Sequence, residues 1–592
     1  MYFFKFFKLA SCFGILLLNS ACSNPKVTDT QLAPEFTQRE ARDPEAATGL
    51  TEQKLVTASQ AMVSSANPYA TKVGLKVLKN GGSAFDAAVA IQAVLTLVEP
   101  QSSGIGGGAF ILYWDQQTQK LFAVDGRETA PNSATESLFF ENGKAISWHE
   151  AVVGGRSVGV PGVLAALELG QKKWGKLNWQ ALFDDAIHLS EQGFVVSPRL
   201  EQLIQRALNP GLKKMPQASQ YFYPNGQGLK AGMLKKNPAL AAQFKQIAKQ
   251  GSQYFYQGEL AEKIVNAVQQ SPIAPGQLTL SDLKRYQAKL RQPICGEYKT
   301  SQICGFGPPS SGGFTVLQIL KLLAPYDLAQ YSANAPQALH LFTQASKLAY
   351  ADRNAYLADS DFVTVPVESL LSADYLEKRT ALIDQYKDLG IAKAGQINSI
   401  TAVESANLTQ PSTSHISIVD KWGNAVSMTT SIEMAFGSTV MVEGFLLNNQ
   451  LTDFSFSPYK NGERVANRVT ANKRPRSSMA PTMVFQNNEL VGLLGSPGGS
   501  RIIDYVAQTL IAKLDWNLSI QQAINLAKVT NLNGKTSLEA NTNLSEQAAY
   551  FKNLGHKVEV RELNSGLHAI WKSNNGWQGA ADPRREGLAL GY

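Results

Sequence analysis

Apolar positions near the amino-terminal third follow the helical period and predict two consecutive helices. The first covers residues 69–79 and is stopped by Gly81 and Gly82. Ser83 and Asp86 then form a capping-box pattern that opens a second helix reaching Val98. This second helix is apolar on nearly every face, so it is expected to be buried between layers of the fold.

A glycine run, residues 104–108, precedes two predicted strands at residues 109–114 and 121–124. It lacks the Lys-Ser/Thr pair of a phosphate-binding loop, so it predicts close backbone packing instead. The middle of the chain, residues 159–290, is mostly helical in pattern, and a further helix is expected over residues 315–323.

Strand patterns return at Thr413. Residues 415–420 and 425–432 alternate around a good turn sequence and predict a hairpin. Centring the pairing on that turn places Thr413 opposite Ile432. Ser431 and Glu433 then point to the other face, and a bulge or a slip is needed to aim them at Thr413.

The remainder of the chain predicts strands flanked by helices on both sides. Strands are expected over residues 440–447, 483–486 and 490–494, and helices over residues 500–513 and from Ser519 and Ser545 onward. This arrangement predicts an α+β fold built as a four-layer α-β-β-α sandwich.

The amino terminus has the pattern of a secretory signal, residues 1–21, with two lysines ahead of a short apolar run and small residues before Cys22. It resembles a lipoprotein cleavage box, although Asn19 stands where an aliphatic residue is usual. We expect a periplasmic protein, lipidated at Cys22 and tethered to a bacterial membrane by the polar residues 22–54. Secretion with an unmodified Cys22 is the alternative.

Composition and charge argue against two classes of function, nucleic-acid binding and metal binding. The chain has 592 residues, 44% hydrophobic and 17% charged, which is typical of a large globular protein. The net charge of +8 is spread along the chain, so no nucleic-acid partner is expected, and the six histidines show no metal-ligand spacing. Cys295 and Cys304 flank a possible hairpin in an exported protein and predict a disulfide; two small buried apolar residues are the alternative.

Thr413 is a candidate nucleophile because of its place at the start of a strand. A threonine hydroxyl needs an adjacent base, and cutting the chain before Thr413 would supply its own α-amine, with a pKa of about 7.7–8.0. Gly498 and Gly499 stand between a strand and a helix, where backbone N–H groups can form an oxyanion hole. Each motif alone is weak, since strand-start threonines and Gly-Gly turns are common.

Several separate motifs, in order, closely resemble the γ-glutamyltransferase (γ-glutamyl transpeptidase) family of N-terminal-nucleophile hydrolases. The matching runs are residues 80–88, 126–131, 308–313, 413–415, 447–450, 453–455, 474–479 and 495–501. The resemblance implies a precursor that cuts itself between Ser412 and Thr413. It also implies a large subunit, residues 55–412, paired with a small catalytic subunit, residues 413–592, and no cofactor or metal.

The resemblance also assigns roles. It implies that Thr413 attacks a γ-glutamyl amide such as glutathione, and that water or an amine acceptor, an amino acid or a dipeptide, releases the acyl-enzyme. Arg127, aided by Ser477 and Ser478, would bind the substrate α-carboxylate, for which a bidentate guanidinium is well suited. Gln450 and Asp453 would bind the α-ammonium, and Gly498 and Gly499 the oxyanion. A surface ion pair is the alternative for Arg127.

Two departures from the family pattern matter. Ser431 and Glu433 stand where well-known members have threonine and asparagine; the serine keeps a hydroxyl for the nucleophile, and the glutamate adds charge beside the α-ammonium. The stretch between Asp453 and Arg474 is short, which predicts a short or absent lid and favours larger donors or hydrolysis. A glutaryl-type acylase and a non-catalytic binding lipoprotein are the alternative functions.

Overall fold

The computed structural model describes residues 50–397, 403 and 412–592. The predicted signal, Cys22 and all of the tether but its last five residues lie outside this part of the chain. Within it, no helix has both the length and the apolar character needed to span a membrane.

Two antiparallel sheets of seven strands each form the centre of the molecule. The first, in spatial order, contains Leu588–Gly591, Met62–Ser65, Ser412–Val419, Ala425–Glu433, Gly108–Asp115, Lys120–Gly126 and Lys289–Arg291. The second contains Val56–Ala58, Gly576–Ala581, His568–Ser573, Glu489–Gly495, Thr482–Gln486, Ser301–Gly305 and Ile294–Tyr298. Each sheet therefore takes strands from both sides of Thr413.

Helices cover the outer face of each sheet, which confirms the predicted four layers. The larger helices are Pro68–Lys79, Ala84–Val98, Val163–Trp174, Asp184–Gln192, Pro198–Arg206, Pro238–Gln250, Glu259–Gln269, Gly312–Leu323, Pro336–Tyr356, Ala373–Thr380 and Ile502–Leu514. Shorter ones are Trp148–Ala151, Pro216–Phe222, Gln253–Gln257, Leu280–Arg285, Val367–Leu370, Ile520–Asn525, Asn543–Glu546 and Ala548–Asn553. The helix at Ala84–Val98 is buried along its whole length, as its apolar pattern predicts.

The strand Gly108–Asp115 shows how the layers pack. Ala109, Ile111 and Tyr113 join the core beneath the helices of the first sheet. The alternate residues face the second sheet, where the rings of Phe110 and Phe306 lie 4.4 Å apart. Because side chains alternate along a strand, a strand that is apolar at every position fits only between two covered faces.

Three predicted elements differ from the structure. Residues 440–447 form two short strands, Met441–Val442 and Phe445–Leu446, because a turn with Glu443 and Gly444 at positive φ divides them. The predicted helix over residues 500–513 begins with a 3-10 turn, Gly499–Arg501, before its α-helical part. The helix expected from Ser545 is two short helices, the first of which starts at Asn543.

The hairpin after Thr413 has a different register from the one expected. We call Ser412–Val419 the nucleophile strand and Ala425–Glu433 the return strand. Val419 pairs with Ala425, so Thr413 lies opposite Ser431 and not opposite Ile432. A bulge between residues 412 and 413 then pairs Ser412 with Glu433. The slip that the sequence pattern left open is the one that occurs.

The cysteine hairpin is present at the edge of the second sheet. Cys295 and Cys304 are direct cross-strand partners on Ile294–Tyr298 and Ser301–Gly305, and their sulfur atoms form a disulfide. Facing positions on antiparallel strands bring the two β-carbons close enough for this bond.

Candidate active site

Thr413 and Ser431 face each other on neighbouring strands, at the start of the nucleophile strand. The Thr413 Oγ lies 3.2 Å from the Ser431 Oγ, and both residues are 2% exposed. The nucleophile strand includes both Ser412 and Thr413. The Ser431 Oγ donates to the Ser412 carbonyl oxygen at 2.7 Å.

The hydrogen bonds of Ser431 fix the direction of proton donation. Its single proton points to the Ser412 carbonyl, and its oxygen accepts from the backbone N–H of Glu433 at 2.9 Å. A hydroxyl has one donor and two acceptor positions, so Thr413 is the donor in the contact with Ser431. The hydroxyl proton of Thr413 therefore points at the Ser431 oxygen, and the Ser431 proton points at the Ser412 carbonyl oxygen.

Glycines allow the return strand to approach the neighbouring loop. A β-carbon on Gly107 would lie 2.1 Å from the Ser431 carbonyl oxygen, and one on Gly106 would lie 2.2 Å from the Leu446 carbonyl oxygen. At such distances a side chain at either position would force the backbone to shift. The glycine run thus serves close backbone packing, as its sequence context predicts, and it positions Ser431.

Arg127, Asp453 and Gln450 form one buried polar cluster. The Arg127 guanidinium contacts one carboxylate oxygen of Asp453 through Nη2, and Gln450 Nε2 donates to the same oxygen at 3.1 Å. Arg127 Nε also donates to the Pro475 carbonyl at 3.1 Å. In the described residues Arg127 Nη1 has no hydrogen-bond acceptor, and a carboxylate oxygen of Glu128 lies 3.6 Å from it.

Two further carboxyl groups lie in this cluster without hydrogen-bond donors among the described residues. Glu433 and Glu128 are both fully buried, and neither oxygen of either side chain is satisfied. Burial and the neighbouring Asp453 raise the pKa of Glu433 well above its usual value. Burial raises the pKa of Glu128 to about 8, against the opposing effect of Arg127. Burial without a hydrogen-bond donor disfavours the ionised form of both carboxyl groups, and a further cation placed beside them would favour it.

Ser477 and Ser478 lie beside two arginines that sequence reasoning did not single out. The Ser478 Oγ accepts from Arg353 Nη2 at 2.6 Å, and Arg353 Nε donates to the Ser311 Oγ at 2.8 Å. Arg476 is 1% exposed and donates to the carbonyl of Arg353 at 3.0 Å. Arg353 lies on a helix that is almost entirely buried. An arginine on the buried face of a helix was the signal in the sequence that could have indicated Arg353. The sequence pattern does not show which loop this side chain contacts.

Gly498 and Gly499 have φ values of 128° and 62° and form the turn before the helix Ile502–Leu514. Only glycine adopts this succession of positive φ without strain. Gly499 and Ser500 reach the same cavity as Thr413.

A small cavity of about 20 Å³ brings most of the candidate residues together. Its lining is Thr413, Ser431, Gln450, Asp453, Arg476, Ser477, Ser478, Met479, Gly499, Ser500 and Ile502. Three candidates are not part of the lining. Arg127 contacts the lining residue Asp453, and the backbone N–H of Glu433 contacts the lining residue Ser431. Gly498 directly precedes the lining residue Gly499 in the chain.

The segment between Asp453 and Arg474 contains a small exposed hairpin, Tyr459–Lys460 and Glu463–Arg464. The Phe456 ring in this segment stacks on the buried Phe139 at 4.5 Å, and Arg468 pairs with Glu136 at 3.1 Å. The hairpin contributes no residue to the cavity lining.

The chain is similar to known proteins over most of its length. The γ-glutamyltranspeptidase family matches residues 70–592. A glutathione hydrolase proenzyme of Bacillus subtilis (strain 168) is 37% identical over 547 residues, covering 90% of this chain and 91% of the relative. An acylase ACY 1 proenzyme of Pseudomonas sp. (strain V22) is 34% identical over 557 residues, covering 91% and 95%.

A solved structure of a cephalosporin acylase from Bacillus halodurans superposes with a TM-score of 0.81 at 26% identity, covering 93% of this chain and 99% of that chain. The predicted resemblance and the predicted fold class are both confirmed. With its family match over 70–592 and relatives that share its length, this chain is an enzyme of the γ-glutamyltranspeptidase family.

Proposed function

We propose that this proenzyme cuts itself between Ser412 and Thr413 and then hydrolyses or transfers γ-glutamyl groups, with Thr413 as the nucleophile. The observation that carries the proposal is the contact of Ser431 with both the Thr413 hydroxyl, at 3.2 Å, and the Ser412 carbonyl, at 2.7 Å. The Ser431 hydroxyl therefore contacts both the attacking oxygen and the carbonyl oxygen of the peptide bond that is to be broken.

Cleavage proceeds as an acyl shift within the precursor. The Thr413 Oγ attacks the Ser412 carbonyl carbon, its proton passes to Ser431, and the Ser431 proton passes to the carbonyl oxygen. The C–N bond then breaks, and the hydroxyl proton of the intermediate moves to the departing Thr413 nitrogen. Water hydrolyses the resulting ester, which releases a carboxylate at Ser412 and restores the Thr413 hydroxyl.

Turnover uses the amine that cleavage creates. The α-amine of Thr413 takes the proton of its own Oγ as the hydroxyl attacks the substrate γ-carbonyl. The backbone N–H groups at Gly498 and Gly499 would receive the oxyanion, a contribution of about 3–4 kcal/mol per good donor. Water or an acceptor amine then attacks the γ-glutamyl ester on Thr413.

The charge pattern of the cluster supports an amino-acid head group. In the described structure Arg127 and Asp453 are paired with each other. A substrate α-carboxylate would take the place of Asp453 at Arg127, while its α-ammonium would meet Asp453, Gln450 and Glu433. Each buried charge then has an opposite charge next to it, as low-dielectric sites require.

A glutaryl-type acylase is the second candidate, and the acylase relative and the superposed cephalosporin acylase favour it. A glutaryl chain has no ammonium. It would leave the carboxyl groups of Glu433 and Asp453 without the cation that their arrangement fits. We therefore place γ-glutamyl amides, including glutathione, ahead of glutaryl amides.

Two further proposals concern where the enzyme is located and which donors its cleft admits. The signal pattern and Cys22 support a periplasmic enzyme with a lipid tether. The exposed hairpin after Asp453, which contributes no residue to the cavity lining, supports an uncovered cleft that admits larger γ-glutamyl donors. A strict preference for glutathione over oligo-γ-glutamate would contradict the uncovered cleft.

The test compares initial rates on γ-glutamyl and glutaryl anilides that differ only in the α-amino group. We expect the γ-glutamyl compound to have the higher kcat/KM by about tenfold or more, since losing a charged hydrogen bond costs about 1.5–3 kcal/mol. Equal or reversed rates would assign the site to an acylase.

A further inference from the structure

A buried carboxyl group lies beside the proposed cleavage site and outside the substrate cavity. Glu99 ends the helix Ala84–Val98 and is 2% exposed. Its Oε2 accepts from Gln101 Nε2 at 2.6 Å and from the Ser102 Oγ at 3.2 Å. Neither Ser102 nor Glu99 has a part in the chemistry proposed above.

Ser102 connects this carboxyl group to Ser412. The Ser412 Oγ donates to the Ser102 Oγ at 3.1 Å, and both residues are 0% exposed. Since Ser102 gives its one proton to Glu99, it can only accept from Ser412. The result is an ordered chain of donors, from Ser412 to Ser102 to Glu99.

The loop that carries Ser102 is fixed to the return strand. The Ser102 carbonyl accepts from the backbone N–H of Ile432 at 3.3 Å, and the Gln101 carbonyl accepts from that of Phe436 at 3.1 Å. The loop therefore holds Ser102 in a set position relative to Ser431, which lies next to Ile432 in the same strand.

Charged groups surround Glu99 on the other side. Burial raises the pKa of Glu99 to about 7; Arg199 and Arg585 lower it, and Glu586 raises it further. Arg585 Nη1 also donates to the Thr413 carbonyl at 3.4 Å. The network thus contacts the chain on both sides of the bond between residues 412 and 413.

We propose that Glu99 and Ser102 are positioning residues for self-cleavage. They hold the Ser412 hydroxyl, and through it they keep the Ser412 carbonyl oxygen on Ser431 and its carbon in front of the Thr413 Oγ. Holding reacting groups in one geometry accelerates a reaction without any chemical participation. This inference rests on the proposed cleavage before Thr413, and neither positioning residue gains or loses a proton in it.

The test is a double-mutant cycle on the rate of precursor cleavage, followed by gel electrophoresis after rapid purification. We expect Ser102→Ala and Ser412→Ala each to slow cleavage by about tenfold. The double variant should be no slower than either single one, since each substitution removes the same contact. Glu99→Gln should slow cleavage in the wild-type background and have no further effect with Ser412→Ala.

Ser103→Ala is the matched control, because Ser103 contacts Ser414 through a hydroxyl at 3.2 Å one residue along the same loop. We expect it to cleave within about twofold of the wild type. Slowing equal to that of Ser102→Ala would overturn the proposal, because any loosening of the loop would then suffice.

Multiplicative slowing in the double variant would also overturn it, as would unchanged cleavage in Ser412→Ala. The latter variant leaves the loop intact and remains informative if Ser102→Ala does not fold, which thermal unfolding would show. Cleavage of the wild type at another bond, or none, would refute the proposed function itself, an outcome distinct from these.

Discussion

The side chain of Ser431 contacts both partners of the proposed cleavage reaction, and this contact defines the site at the scale of single residues. The family resemblance predicted its role, but the expected register pointed it away from Thr413. Its contact with the Ser412 carbonyl depends on the register and on the bulge at residues 412 and 413. Neither can be read from alternation alone, because a shift of one residue leaves the same apolar pattern nearly intact in a strand buried on both faces.

Glu433 predicts a pH dependence of substrate binding. Its raised pKa favours the protonated carboxyl group in the empty site, whereas an α-ammonium favours the ionised form, so we expect substrate binding to release protons. KM for a γ-glutamyl anilide should therefore fall as the pH rises through the ionisation of Glu433, above its ordinary 4.5. Glu433→Gln should raise KM by about tenfold at neutral pH and flatten this dependence.

The control for this prediction is Glu489→Gln, whose side chain is exposed and paired with Lys572 where a central strand of the second sheet begins. We expect its pH profile of KM to match that of the wild type. A Glu433→Gln enzyme with an unchanged profile would show that another group binds the ammonium.

At the scale of elements, the site depends on a hairpin whose return strand lies against a glycine run. The sequence predicted the hairpin, its turn and the close packing of the glycines from local patterns. It did not predict the two short strands within residues 440–447, because that division depends on positive-φ turns formed by Glu443 and Gly444 against the neighbouring loop. It also gave no sign of the contact between Arg353 and Ser478, which joins distant parts of the chain.

Gly107→Ala should disturb cleavage through the backbone. Its new β-carbon would lie 2.1 Å from the Ser431 carbonyl oxygen, so the return strand must shift and carry the Ser431 hydroxyl with it. We expect slower precursor cleavage and a loss of about 1–3 kcal/mol in unfolding free energy, as overpacking usually causes. Cleavage half-life and thermal unfolding measure the two effects.

Gly534→Ala provides the matched glycine control, because a β-carbon there would meet no atom within 4 Å. It should cleave and unfold like the wild type. Wild-type cleavage by Gly107→Ala would mean that the tight approach to Ser431 is unimportant.

At the scale of the whole molecule, the two proposed subunits share both sheets. The nucleophile strand lies between the return strand and Met62–Ser65, and the carboxy-terminal Leu588–Gly591 pairs with Met62–Ser65 on its other edge. Apolar strands flanked by helices were enough to predict four layers. The order of strands was not predictable, because it depends on pairings between residues several hundred positions apart, such as Val63 with Leu590.

This interleaving predicts that cleavage does not separate the subunits. Pulling them apart would expose the edges and inner faces of both sheets, so they should elute together as one particle from a native column and separate only in denaturant. Native size-exclusion chromatography followed by a denaturing gel of the same fractions measures this. Two separate native peaks would contradict the shared sheets.

The most direct test of the account is intact-mass measurement with amino-terminal sequencing of active, purified protein, beside a Thr413→Ala variant. The account predicts two polypeptides, the smaller beginning at Thr413, and an uncut, inactive variant. A single unbroken chain that hydrolyses γ-glutamyl anilides, or an active Thr413→Ala protein, would contradict it.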